Sequence, residues 1–91
     1  MSKEATDSVL EILERLLKYI YRDEGLDLMF LNVELENLSE SLDRIEINKL
    51  EAKEIGLLLH GLMIIEAELK KMGLVSHIVK NMRESIYDKS I

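Results

Sequence analysis

Two runs of apolar residues, spaced alternately three and four apart, limit this chain more than any other feature. The first is Leu28, Leu31, Leu35, Leu38, Leu42 and Ile45; the second is Ile55, Leu58, Leu62, Ile65, Leu69 and Met72. Such spacing keeps every member on one stripe of an α-helix, whereas on a strand it would scatter them over both faces. Polar Asn32, Glu36, Glu40 and Asp43 lie behind the first stripe, as a helix with one buried side requires. None of the 91 residues is a proline, so nothing forces a break inside either run.

Punctuation places the remaining helices. Thr6, Asp7 and the Ser8-Val-Leu-Glu11 box are candidate caps for a first helix over 7–23. Its apolar face is Val9, Leu10, Leu13, Leu16, Leu17 and Ile20, and Gly25 supplies its stop. Asp27 caps the second helix. A turn near 46–48 and a capping box at Asn48-Lys-Leu-Glu51 start the third helix at Lys49, and Gly73 ends it. A shorter fourth helix follows from Leu74, with Val75, Ile78, Val79, Met82 and Ile86 on one side and fraying expected over 88–91. No strand-like alternation is present. The expectation is an all-α single domain over 1–91, an antiparallel up-and-down helical bundle of four helices.

The third helix carries more apolar surface than one stripe. Leu50, Leu57, Gly61 and Ile64 fall opposite its main seam, so Leu57-Leu-Leu-His-Gly-Leu-Met-Ile-Ile65 is apolar almost all round. Two arrangements cover the second side. Either helix one or helix four wraps across it, or a second copy does, with Gly61 allowing two backbones to approach. The expectation is a homodimer whose interface is Leu50, Leu57, Gly61 and Ile64, two-fold dimers being the commonest soluble oligomers.

Composition removes several classes of function. With no cysteine there is no disulfide framework, thiolate metal site or cysteine nucleophile. Eighteen acids against twelve bases give a net charge of −6, opposite in sign to a whole-surface nucleic-acid binder. The longest apolar stretch, Ile55 to Ile65, is about half of what a membrane span needs, and Met1-Ser2-Lys3-Glu4 does not open a signal peptide. A cytoplasmic location without membrane association is expected. One phenylalanine and three tyrosines offer little for base stacking.

The chemistry-bearing patterns are few. A carboxylate-bridged di-metal bundle uses Glu-x-x-His, but Leu57 and Leu74 stand three before His60 and His77, which read as boundary and surface histidines. Asp23-x-Gly25-x-Asp27 with Glu34 fails as a calcium loop, since Leu28 occupies the position of the turn glycine. Glu66, on the main seam of helix three, reads as an ion-pair partner of Lys70 four residues on. Residues 70–91 hold five bases against two acids, while 1–69 hold seven against sixteen. Lys70, Lys71, His77, Lys80 and Arg83 therefore form a basic end suited to phosphate or an acidic partner.

Glu11-x-x-Glu14 followed by Glu40-x-x-Asp43 is similar to the carboxylate pattern of the MazG-like all-α nucleotide pyrophosphohydrolases. That resemblance implies magnesium held by those four residues against a nucleotide's phosphates. On the helical wheel, however, Glu11, Glu40 and Asp43 point away from the seams, towards solvent. A second resemblance runs from Asp43-Arg-Ile45 to Ile64-Ile-Glu-Ala-Glu-Leu69. This stretch resembles the small helical-bundle proteins of archaeal spindle-shaped viruses, and the likeness implies a dimeric, adaptor-like protein. The function expected is a non-enzymatic protein–protein interaction module, an adaptor, scaffold or small regulator, with no catalytic residue, metal or cofactor. The alternatives are the magnesium-dependent hydrolase and a nucleic-acid-associated regulator using the basic end.

Overall fold

The computed structural model describes residues 3–22 and 27–90. Four helices account for most of them: α1 (Lys3–Ile20), α2 (Leu28–Asp43), α3 (Ala52–Lys71) and α4 (His77–Ser90). A single 3₁₀ turn, Ile47–Lys49, lies between α2 and α3, and there is no strand among the described residues. The all-α four-helix fold is as the seams require.

The boundaries show which local signals prevail. Asp27 caps α2 as its position suggests, Oδ1 accepting from the Met29 N–H at 3.0 Å and the Phe30 N–H at 3.3 Å. Gly73 closes α3 with a φ of +74°. Its N–H donates to Lys70 O at 3.0 Å and the Leu74 N–H to Leu69 O at 2.9 Å, the paired bonds of a Schellman ending. Ser76 caps α4, its Oγ accepting from the Val79 N–H at 3.3 Å, so that helix starts at His77 rather than Leu74. It continues to Ser90, and residues 88–90 are helical, not frayed.

The ends of α1 and the start of α3 also depart from expectation. α1 is already helical at Lys3 and ends at Ile20, which puts Thr6, Asp7 and Ser8 inside the helix rather than at its cap. Thr6 is buried within the first turns of the helix. The expected stop, Gly25, lies outside the described residues. α3 begins at Ala52, not Lys49, and its cap is Glu51, whose N–H donates to Glu54 Oε1 at 3.0 Å. The cause lies just upstream. Ile47 and Leu50 are both buried in the core, which draws 47–49 into a tight turn and leaves Leu50 extended.

The core consists of the seams: Leu13, Leu16, Leu35, Leu38, Leu58, Leu62, Ile65, Val79, Met82 and Ile86 are all nearly inaccessible. The principal packing pairs are α1 with α2, α1 with α3, α3 with α4, and α2 with α4. Consecutive α2 and α3 are not among them, which departs from the sequential neighbours of a simple up-and-down bundle. The 3₁₀ turn, packed on α4, carries the chain from α2 to α3 and leaves α1 as the neighbour of α3.

Candidate functional site

The packing of α1 on α3 decides what becomes of the second apolar side of α3. Gly61 is buried, and a Cβ built on it would lie 2.5 Å from Leu13 Cδ2. A methyl group cannot occupy that position without displacing Leu13, so the glycine is what lets α1 approach. Leu50 is buried too, in the segment before α3. Two of the four expected interface residues, Leu50 and Gly61, thus belong to the core of a single chain. The small-residue gap at Gly61 is occupied by Leu13.

The other two remain open. Leu57 is 55% exposed and Ile64 is half-buried. They border a groove of about 260 Å³ whose opposite wall is Leu10, Leu13 and Leu17 of α1. Its two polar side chains are Glu14 from α1 and His60 from α3. Glu14 also meets Lys18 at 3.1 Å, an exposed pair of the ordinary i,i+4 kind. The groove is thus an apolar floor with an acid on one wall and an imidazole on the other.

The four carboxylates of the MazG-like pattern, Glu11, Glu14, Glu40 and Asp43, are all exposed. Among the described residues no three or more histidine, cysteine, aspartate or glutamate side chains are grouped to hold a metal ion. Between α1 and α2, Arg15 meets Glu34 at 3.4 Å.

At the other end of α3, Glu66 does not pair with Lys70. Arg83 of α4 takes it instead, its Nη2 lying 3.4 Å from both carboxylate oxygens. Lys71 is held by Glu68 at 3.0 Å. Of the basic end, Lys70 and Lys80 have no acid partner among the described residues.

A third surface went unmarked by the sequence reading. The outer side of α2 exposes Met29 (79%), Phe30 and Val33. Phe30 packs on Tyr19 with ring centroids 4.9 Å apart, and the Tyr19 hydroxyl accepts from the Asp27 N–H at 2.7 Å. The signal was available: 29, 30 and 33 are apolar positions on the side of α2 away from the main seam. It is short, three positions against the six of the seam.

No helix among the described residues is long and apolar enough to cross a membrane. No family model matches the chain, and neither a curated protein nor a solved structure matches it.

Proposed function

We propose that this chain is a non-enzymatic interaction module that pairs with a second copy of itself across the α1–α3 groove and presents its α2 face to a protein partner. One observation carries the dimer: the groove is apolar along its floor and bears one acid and one imidazole on opposite walls. A two-fold contact needs a surface complementary to itself. Here the axis sets the Glu14 of each copy against the His60 of the other, while Leu57 and Ile64 leave water. Burying a side chain such as Leu57 fully is worth about 1.5–3 kcal/mol, and symmetry counts it twice. The likeness to the spindle-virus proteins implies the same oligomeric state.

The adaptor part of the reading rests on α2. Met29, Phe30 and Val33 stay uncovered when α1 and α3 are occupied, and apolar surface of that kind on a small domain marks a contact face. The exposed carboxylates give the hydrolase alternative no comparable support.

Mass in solution, by sedimentation or light scattering across micromolar concentrations, tests the proposal. Wild type is expected at about twice the 10.5 kDa monomer. Leu57→Lys is expected to reduce it to the monomer with its helical spectrum intact. Met29→Glu with Val33→Glu is expected to leave the dimer unchanged. A monomeric wild type sinks the proposal, and a dimer lost only in the α2 variant moves its seat to α2.

A further inference from the structure

Where α3 ends and α4 begins, a cleft of about 220 Å³ opens between Glu66, Lys70, Ser76, Lys80 and Arg83. Three cations and one carboxylate line it, in a chain whose net charge is −6. The carboxylate is already taken, since Glu66 lies against Arg83. Lys70 and Lys80 have no acid partner among the described residues, so two ammonium groups face one cleft uncompensated. Like charges gathered in this way repel one another, and in a protein this acidic many exposed carboxylates were available to neutralise them.

The cleft holds further donor capacity. Ser76 Oγ accepts from the Val79 N–H, which leaves its hydroxyl proton free to donate. The two lysines make the site; the first turn of α4 beside it only adds partial positive charge. Leu74 and the 79% exposed Val75 supply an apolar wall on the same cleft.

We infer that this cleft is a binding site for a phosphate monoester, the phosphoryl group held by Lys70, Lys80 and Ser76 and the organic part lying on Leu74 and Val75. Charge selects the ligand. After Glu66 offsets Arg83, two positive charges remain, and a phosphate monoester near neutral pH carries between one and a half and two negative ones. The apolar wall favours an ester over the free ion. This site is separate from the α1–α3 groove and does not depend on the dimer.

The test is an amide-resolved NMR titration at constant ionic strength with inorganic phosphate, phenyl phosphate and, as a blank, sodium chloride. Saturable shifts at Ser76, His77 and Lys80 are expected with both phosphates, tighter with phenyl phosphate, and none with chloride. Lys70→Ala with Lys80→Ala is expected to weaken binding about tenfold or more, as loss of charge-assisted bonds does. Arg44→Ala with Lys53→Ala, which removes two positive charges outside the cleft, is expected to leave binding unchanged. Shifts of equal size with chloride, or binding indifferent to the two lysines, overturn the inference. So does tight binding of a single-stranded oligonucleotide that phenyl phosphate fails to displace, which would assign the surface to nucleic acid.

Discussion

The two sides of α3 are built from the same residue types and meet different fates. On the main seam Leu58, Leu62, Ile65 and Leu69 are nearly inaccessible, whereas on the opposite side Leu57 stays half out in solvent and Ile64 is only partly covered. The difference does not lie in the residues. The seam faces inwards, with α1 and α4 packed on α3, while Leu13 of α1 crosses α3 at Gly61 and leaves Leu57 and Ile64 incompletely covered. An apolar side chain is therefore core or contact surface according to how many neighbours reach it, and periodicity shows the stripe without showing the neighbours.

That contrast breaks most visibly at the seam. Leu62→Ala is expected to destabilise the chain by about 2–5 kcal/mol, through lost burial and the cavity left behind. Denaturant unfolding followed by circular dichroism measures it. A cost near zero would mean that the seam is no better packed than the groove.

Gly61→Ala comes next and acts at the crossing itself. Its Cβ meets Leu13 Cδ2 at 2.5 Å, so Leu13 must shift or α1 must retreat. The expected cost is about 1–3 kcal/mol. Leu13→Ala in the same chain should remove most of that penalty, because it vacates the space the new methyl needs. A double-mutant cycle that found the two changes additive would show that the crossing is not where α1 is held.

Much of this was legible and some was not, for a physical reason. Asp27 and Gly73 are local signals: a carboxylate accepting from two N–H groups a few residues on, and a backbone turned left-handed. They act within one turn of helix, so the sequence displays them directly. The seams are also local, being a matter of spacing. The Leu13–Gly61 crossing, the Glu66–Arg83 pair and the burial of Leu50 join segments far apart in the chain, and composition and spacing say nothing of them. Glu66 is instructive. Lys70 lies at the helical spacing for a pair, yet Arg83, seventeen residues away, arrives from α4 with a planar donor group and takes the carboxylate. Of the four apolar positions on the second side, Leu50 and Gly61 are covered by tertiary neighbours, and Leu57 and Ile64 only in part.

On the open side the expected change is smaller. Leu57→Ala, studied at concentrations low enough to keep the chain monomeric, should alter folding stability by less than about 1 kcal/mol, since the side chain is 55% exposed. At higher concentration the same change should weaken self-association. Chemical denaturation at two protein concentrations separates the effects. A loss as large as that of Leu62→Ala at low concentration would erase the distinction between the sides.

The smallest effect concerns the turn that removes Leu50 from the second side of α3. Lys49 Nζ lies 2.7 Å from Glu46 Oε2, closing the 3₁₀ turn from outside. The hydrogen bond from Lys49, then its charge, hold the Glu46 carboxyl below its ordinary range, and the same contact raises the Lys49 ammonium. A lowered carboxyl contributes stability above the ordinary glutamate value and loses it as pH falls through the folded one. The raised lysine contributes below its ordinary value and loses that as pH climbs through its own folded one. Between those limits the pair is intact. Both groups are exposed, so solvent and salt screen the attraction and the contribution is slight. Thermal melts of Glu46→Gln against wild type should differ a little at neutral pH and low salt, and converge both in strong acid and in high salt. If the variant instead unfolds markedly earlier at every pH and salt concentration, Glu46 holds Leu50 in the core by some contact other than this pair.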